Sequence, residues 1–212
     1  MSKLQAGLLA LIALIIGIAA AIFIAPPASD KDTQYVSLYP AARVLPDFEL
    51  QDHQKQPFTS KSLEGHWSLV FVGYTFCPDI CPTTLAELKG IYPALQEIPT
   101  DFPIQVILVS VDPKRDTPER LNEYIKFFHP DFIAASGEHA QLFPLVRAMG
   151  MMYSMSESSD NPNYLVDHSS SVVVINPKAQ VIGRFKPDFV VGKLPISEGQ
   201  KILADMPAIV AQ

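Results

Sequence analysis

Three predominantly apolar runs stand out along the chain and predict different kinds of element. Residues 6–24 contain no charged side chain, and at about 1.5 Å per helical residue such a run can cross the hydrocarbon core of a bilayer. Residues 67–74 and 104–111 form shorter runs, which are typical of central strands covered on both faces. The pattern therefore indicates a membrane segment followed by a domain with a buried sheet.

The other periodic segments predict helices between the strands. Apolar residues recur at helical spacing in residues 83–98, where Pro93 should kink or shorten the helix. Thr117 followed by Pro118 is typical of a helix start, and that helix should end before Pro130. Further helices are expected at residues 138–149 and 196–210, and further strands at 46–50, 151–155, 171–175 and 181–185.

Strands that alternate with helices predict an α/β fold. The cysteines follow the first central strand, and the chain ends with a strand hairpin and a helix. This order is typical of a thioredoxin-like domain, a central mixed sheet flanked by helices. We therefore expect a single N-terminal transmembrane helix at residues 1–25, a linker at 26–43 and a thioredoxin-like domain at 44–212.

The flanks of the apolar N-terminal run predict its orientation. Lys3 is the only charged residue before it, so the positive-inside rule keeps the N-terminus in the cytoplasm and exports the domain. Bulky residues 22–24 stand where a cleaved signal peptide would carry small ones. An uncleaved anchor is thus favoured over a cleaved signal.

Composition narrows the function further. The formal net charge is −6, with 16 Lys and Arg against 22 Asp and Glu, which argues against a nucleic-acid partner. Cys77 and Cys81 are the only cysteines in the chain. In an oxidising compartment such a pair should form a disulfide unless something keeps it reduced or occupied.

The two cysteines carry the candidate chemistry. Cys77 and Cys81 are four residues apart between a strand and a helix. On a helical turn this spacing puts both sulfurs on the same face, with the two Cα atoms about 6 Å apart. Unpaired backbone N–H groups at a helix start stabilise thiolates. The pair can form a disulfide or share a metal ion, and the spacing is one residue wider than the C-x-x-C of thiol oxidoreductases.

A histidine could complete a metal site. Soft sulfur selects Cu(I), and an added imidazole also accommodates Cu(II). His168 precedes the strand expected at residue 171, and in a thioredoxin-like sheet that loop faces the cysteine loop. The other histidines lie in polar turns or at helix boundaries, which favours surface or capping roles: His53, His66, His129 and His139.

Three blocks of the sequence resemble the Sco/SenC family of cytochrome oxidase assembly proteins. They are Gly-Tyr-Thr-Phe-Cys-Pro-Asp-Ile-Cys-Pro-Thr-Thr-Leu at residues 73–85, Ser-Val-Asp-Pro-Lys-Arg-Asp-Thr-Pro at 110–118 and Tyr-Leu-Val-Asp-His-Ser at 164–169. The resemblance implies that Cys77, Cys81 and His168 bind one copper ion per chain, as Cu(I) or Cu(II). It implies delivery to the CuA site of cytochrome c oxidase subunit II.

The same resemblance implies a cellular setting and leaves a second activity open. It implies a single-pass protein of the inner membrane, with its C-terminal domain in the periplasm or an equivalent exported space and an upstream periplasmic copper donor. The alternative is a thiol–disulfide oxidoreductase that keeps the CuA-site cysteines reduced, which gives His168 no clear role. A structural disulfide and an inert interaction module also stay open. We expect a metallochaperone rather than an enzyme.

Several neighbouring residues receive bland interpretations. Phe76 stands where many family members have histidine, so one auxiliary ligand is missing. Residues 134–137 also depart from the usual pattern, in a way that bears on packing. The methionines at 149, 151, 152 and 155 are expected to fill the core, and residues 114–116 to form a solvated charged turn. Asp79 should order the loop, and Asp167 could orient His168.

Overall fold

A computed structural model describes residues 33–155, 161 and 163–211, together with residues 5, 7, 11–13 and 17. The chain divides into two compact units, Met1–Asp32 and Thr33–Gln212. Most of the predicted anchor, the first part of the predicted linker and most of a polar loop at residues 156–163 lie outside the described residues. Among the residues that are described, no helix combines the length and the apolar character needed to span a membrane.

The second unit alternates strands and helices. Its described strands are β1 (Val36–Val44), β2 (Leu50–Asp52), β3 (Pro57–Phe58), β4 (Trp67–Gly73), β5 (Ile104–Ser110), β6 (Ile133–Ser136), β7 (Tyr153–Met155), β8 (Val166–His168), β9 (Val172–Ile175) and β10 (Gln180–Phe185). Its described α-helices are α1 (Ile80–Gln96), α2 (Pro118–Phe128), α3 (His139–Ala148) and α4 (Gly199–Val210).

One mixed sheet contains eight of these strands, in the order β1-β10-β9-β4-β5-β6-β2-β3. Strand β4 is parallel to β5 and antiparallel to β9, and β5 is parallel to β6. Every residue of β4 and β5 is buried, which confirms the two central strands that the continuous apolar runs predict. The remaining strands, β7 and β8, pair with each other in a separate two-stranded sheet.

The domain begins earlier than the sequence predicts. All of strand β1 except its last residue, Val44, falls within the predicted linker at 26–43, yet the strand pairs with β10 along the edge of the sheet. Its start is held by Asp205 of α4, which accepts hydrogen bonds from the backbone N–H groups of residues 34, 35 and 36 at 2.7–2.9 Å. Because β1 is an edge strand with few buried positions, its sequence lacks the apolar run that identifies β4.

Several element boundaries also differ from the prediction. Strand β2 starts at Leu50, so the strand expected at 46–50 is shifted towards the C-terminus. Helix α1 runs through Pro93 and ends at Gln96. The sequence pattern missed β6 and β8, which are only four and three residues long. The predicted hairpin of β9 and β10 and the Thr117 cap of α2 are present.

Four chain segments meet at one edge of the main sheet. Gly73 ends β4, and Phe71 of the same strand is paired with Val172 at the start of β9. Val172 is paired with Phe185 at the end of β10, which in turn pairs with Val36 at the start of β1. Gly73, Val172, Phe185 and Val36 each lie at the end of a strand, and we call this row of strand ends the top edge. The segments that leave it carry the candidate site.

Candidate metal centre

The cysteine loop connects the end of β4 to the start of α1. The backbone N–H of Cys77 donates to the carbonyl of Tyr74 at 3.3 Å, and Thr83 bonds back to the carbonyl of Asp79 through its hydroxyl at 2.7 Å. Cys81 lies in the first turn of α1, and its backbone N–H donates to the sulfur of Cys77 at 3.4 Å. Cys77 is half-buried, Cys81 is buried, and both are free thiols.

His168 is the last residue of β8, and its imidazole ring lies beside the cysteines. Its Nε2 lies 3.3 Å from Sγ of Cys81, and its Nδ1 lies 3.2 Å from the carbonyl oxygen of Ser169. A carbonyl can only accept, so this contact assigns the ring proton to Nδ1 and leaves the Nε2 lone pair facing the sulfur. The rings of Phe71 and Tyr74 meet the imidazole edge-on at 5.8 Å. The imidazole is therefore oriented towards the thiols from several sides.

The three candidate ligands form one cluster. One ligand atom each from Cys77, Cys81 and His168 can be chosen so that all three lie within 4.8 Å of one another. That separation is compatible with a single ion bound by two sulfurs and one nitrogen, at metal–ligand distances of about 2.0–2.3 Å. The topology that the sequence predicts brings the His168 loop opposite the cysteine loop, and the structure places it there.

The other histidines make local contacts elsewhere. His53 is buried rather than at the surface as expected, because its ring accepts a hydrogen bond from the backbone N–H of Ala134 at 3.2 Å, and burial is the main cause that lowers its pKa. The rest contact nearby groups: His66 at the carbonyl of Glu64, His129 at the backbone N–H of Asp131, and His139 at the hydroxyl of Tyr153. None of these contacts places a thiol or a group of carboxylates beside the imidazole ring.

The two thiols differ in acidity. The hydrogen bond from the Cys81 side chain, aided by backbone N–H groups, lowers the pKa of Cys77 to about 4 despite partial burial. Burial, followed by the neighbouring Cys77, strongly raises the pKa of Cys81. Cys77 is thus a thiolate at neutral pH and Cys81 a thiol that shares its proton. A metal ion that bound both sulfurs would displace that proton.

Gly73 makes room for the buried sulfur. A Cβ atom built at Gly73 would lie 2.6 Å from Sγ of Cys81 and 3.0 Å from the ring of Phe71. Real Cβ atoms do not approach sulfur so closely, so the backbone of β4 can pass this near Cys81 only with glycine at that position. The glycine precedes the cysteines in the first sequence block, but nothing in the sequence alone points to the contact.

Asp116 holds the start of the cysteine loop. Its buried carboxylate accepts from the backbone N–H and the hydroxyl of Thr75, at 2.9 and 2.6 Å, and from the hydroxyl of Ser110 at 2.6 Å. Burial raises the pKa of Asp116, and these hydrogen bonds oppose the shift. The loop is therefore fixed two residues before Cys77 to the segment that follows β5.

Asp112 makes a similar connection to residues 164–168, the segment that ends at His168, which we call the histidine arm. Its buried carboxylate accepts from the hydroxyl of Tyr164, four residues before His168, and from Nε of Arg115 at 2.5 Å. The guanidinium of Arg115 lies 3.5 Å from the centre of the Tyr164 ring. The expected solvated turn at 114–116 is therefore wrong for Arg115 and Asp116, which are buried or nearly so. The sequence shows the charges but not the tertiary partners that bury them.

The surface beside the centre is partly apolar. An open cleft of about 550 Å³ is lined by His168, Tyr153 and Met152 among other residues. Met149 and Met151 are buried as predicted, but Met152 is 74% exposed and Met155 is also exposed, so the core prediction is wrong for these two. They belong to or adjoin β7, a strand outside the main sheet. The exposed ring of Phe76 lies between the guanidinium groups of Arg115 and Arg120, at 4.7 and 5.2 Å.

Comparison with known proteins places this geometry among relatives. The family model described as SCO1/SenC matches residues 37–194. An SCO2-like protein of Rickettsia prowazekii is 40% identical over 142 residues, which are 66% of this chain and 68% of the relative. The fold is similar to that of copper-bound ScoI from Arabidopsis thaliana, with a TM-score of 0.66 and 26% identity over 80% of this chain and 99% of that one.

A second solved structure has the same features. Copper-bound ScoI from Bradyrhizobium japonicum matches with a TM-score of 0.61 and 28% identity, covering 76% of this chain and 98% of that chain. Both likenesses confirm the predicted α/β fold of the thioredoxin-like type.

Proposed function

The chain belongs to the SCO1/SenC family, and on that premise we propose that it is a membrane-anchored copper metallochaperone. It carries one copper ion on Cys77, Cys81 and His168 and delivers it to the CuA site of cytochrome c oxidase subunit II. The observation that carries the proposal is the meeting of two sulfurs and one imidazole nitrogen within 4.8 Å. Relatives of similar fold are solved with copper bound.

The donor set suits copper in both oxidation states. Two thiolates hold soft Cu(I), and the Nε2 of His168 adds a borderline ligand that Cu(II) accepts. Cys77 is already deprotonated at neutral pH, so only Cys81 must lose a proton when the cargo is loaded. The carbonyl of Ser169 keeps the imidazole in the tautomer whose Nε2 can coordinate.

Release follows from the placement of the ligands on two separate arms. Cys77 and Cys81 belong to the loop and helix after β4, whereas His168 ends β8. A recipient thiolate can replace the ligands one at a time, and the half-buried sulfur of Cys77 is the more accessible of the two. Copper then moves by ligand exchange without a free ion.

The proposed setting is the inner membrane, with the domain in the periplasm or an equivalent exported space. The uncharged run at residues 6–24 supports a single span, and Lys3 on its short N-terminal side supports the orientation. An upstream copper protein of the same compartment loads the site, and subunit II is the recipient.

Metal analysis of the full chain tests the proposal. The protein, purified in detergent under reducing conditions and loaded with Cu(I), should hold one copper per chain, and Cys77→Ser or Cys81→Ser should hold none. His139→Ala is a matched control because His139 contacts Tyr153 rather than the thiols, and it should keep its copper. Loaded protein mixed with the apo CuA domain of subunit II should transfer its Cu(I), and metal analysis of the two proteins after separation should find the copper on the CuA domain. Copper retained by both cysteine variants would refute the assignment.

A second candidate function is supported by the unequal thiols. A thiolate at Cys77 beside the protonated Cys81 is the arrangement of an attacking and a resolving cysteine. The chain would reduce a disulfide of the CuA site, passing on two electrons and the proton of Cys81 while water supplies the second proton, and would end as a Cys77–Cys81 disulfide. His168→Ala separates the two functions, since it should impair copper loading and leave disulfide reduction largely intact.

A further inference from the structure

An exposed apolar tip projects from the segment between β10 and α4. Phe189 is 85% exposed, and Val191 is fully exposed. Val190 and Leu194 are also exposed, and a turn closes the tip where the backbone N–H of Lys193 donates to the carbonyl of Val190 at 3.0 Å. Large apolar side chains that cluster at one exposed point mark an interaction surface more often than chance. We call residues 189–194 the apolar tip.

The base below the apolar tip is firmly held. The backbone N–H of Asp188 donates to the carbonyl of Ile196 at 3.2 Å, which closes the segment. The buried hydroxyl of Ser197 lies 2.9 Å from the carbonyl of Phe185 and 3.4 Å from that of Ser170. Lys201 bridges Asp188 and Glu198. The tip is therefore presented to solvent by an ordered base.

The position of the tip relates it to the metal centre and to the start of the domain. The segment leaves β10 at Phe185, on the top edge of the sheet, and Ser170 connects its base to the chain two residues after His168. The domain also begins at this edge, because Val36 pairs with Phe185 and Asp205 holds the backbone of residues 34–36. The tip, the candidate centre and the first residues of the domain thus share one edge.

We propose that the apolar tip inserts into the interface of an anionic lipid bilayer, a proposal that rests on the membrane anchor proposed above. In the sequence only seven residues, 26–32, lie between the predicted anchor and Thr33. The predicted anchor is thus connected in sequence to the edge that carries the tip, where residues 34–36 are held.

The charges around the tip favour lipid as the occupant. Exposed Lys186 and Lys193 flank the apolar residues, and Lys201 pairs with the nearby acids Asp188 and Glu198, so that the three lysines outnumber these two acids. Aromatic and aliphatic side chains next to lysines are typical of segments that lie in the interface of anionic bilayers. The chain as a whole carries a net charge of −6, so the excess of lysines around the tip contrasts with the acidic balance of the molecule. Insertion would keep the copper centre close to the membrane surface, where membrane-bound recipients are found.

Fluorescence of the full chain in vesicles tests the insertion. Phe189→Trp places a probe at the tip, and the protein is reconstituted into vesicles of equal parts phosphatidylcholine and phosphatidylglycerol with brominated acyl chains. Native Trp67 is a buried internal reference at the start of β4, at the opposite end of that strand from the top edge. Phe127→Trp is the matched control, because Phe127 is 78% exposed and lies near the end of α2, away from that edge.

The outcomes are distinct. We expect the probe at position 189 to be blue-shifted and quenched several-fold more strongly than the probe at 127, and Val191→Asp in the same background to abolish the difference. Lys186→Glu with Lys193→Glu should weaken the quenching, as should vesicles of phosphatidylcholine alone. Equal quenching at 189 and 127 in chains that float with the vesicles would overturn the tip proposal only, and would point to a protein partner instead. Chains that do not float would overturn the anchor as well.

Copper binding provides an independent readout. None of the substituted residues belongs to the ligand cluster, so each variant should still bind one copper per chain if the proposed function holds. A tip that inserts in a chain that binds no copper would overturn the function and leave the tip proposal standing.

Discussion

Sγ of Cys81 lies 3.3 Å from Nε2 of His168, although 87 residues separate them in sequence. The contact exists because β9, which follows the histidine arm, pairs with β4, which precedes the cysteine loop. The buried thiol and the imidazole lone pair therefore face the same small volume as the thiolate of Cys77. From this geometry the two oxidation states of copper should depend differently on the imidazole.

Replacement of His168 by alanine should separate Cu(II) from Cu(I) binding. We expect His168→Ala to weaken Cu(II) about tenfold or more and to change Cu(I) affinity much less, because two thiolates alone can hold the softer ion. Competition titrations with a chromophoric chelator for each oxidation state measure both affinities. His139→Ala should change neither. An equal loss of both affinities would contradict the division of roles between sulfur and nitrogen.

The low pKa of Cys77, about 4, predicts an unusual pH dependence of alkylation. Only the thiolate reacts, so the rate with iodoacetamide should be nearly constant between about pH 5.5 and 8 and should fall below about pH 4. An ordinary thiol would instead react about tenfold faster per pH unit up to about pH 8.5. Mass spectrometry of quenched samples gives the rate at Cys77, while buried Cys81 should stay unmodified. A tenfold rise per pH unit at Cys77 would show an ordinary thiol.

The same shift links thiol ionisation to stability. The folded pKa of Cys77 lies below that of an unfolded cysteine, so the folded state binds this proton less tightly. The resulting stabilisation is fully present above the unfolded value, about pH 8.5, and is lost as the pH falls towards 4. Cys81→Ala removes the hydrogen bond that contributes most to the low pKa of Cys77, and so the alkylation profile of that variant should move to higher pH.

The sequence predicts the ligands and the central strands because their signals are local or topological. Continuous apolar runs identify β4 and β5, and the order of elements places the loop of His168 opposite the cysteines. Edge strand β1 has no such signal, since few of its positions are buried. The contacts of Asp112 and Asp116 were not predicted either, because a charged turn looks the same in sequence whether it is solvated or buried against distant partners.

Loss of the Tyr164 hydroxyl tests the connection to the histidine arm. Tyr164→Phe keeps the ring under the Arg115 guanidinium but removes the hydrogen bond to the buried carboxylate of Asp112. An unsatisfied buried acceptor costs about 1–3 kcal/mol, so we expect a loss of that size in the free energy of unfolding by urea. Tyr35→Phe, at an exposed position, is the control and should change little. A loss no larger than that of the control would mean that Asp112 finds its hydrogen bonds elsewhere.

A methyl group added at Gly73 should displace the buried sulfur of the candidate metal centre. In Gly73→Ala the new Cβ would lie 2.6 Å from Sγ of Cys81 and 3.0 Å from the ring of Phe71. Relief requires the sulfur to move, and the space around it is occupied by buried side chains. Overpacking of this kind costs about 1–3 kcal/mol. The displacement would also change the distance between this sulfur and His168, so we expect weaker binding of both Cu(I) and Cu(II).

Gly90→Ala is the matched control for that substitution. Gly90 is exposed within α1, and a Cβ there meets nothing within 4 Å. Alanine in a helix should raise the free energy of unfolding by about 0.5–1 kcal/mol and leave copper affinity unchanged. Urea unfolding and chelator competition on both variants measure the two effects. If Gly73→Ala bound copper as tightly as Gly90→Ala, the close approach of β4 to Cys81 would not define the position of the buried ligand, and the centre would tolerate movement of that sulfur.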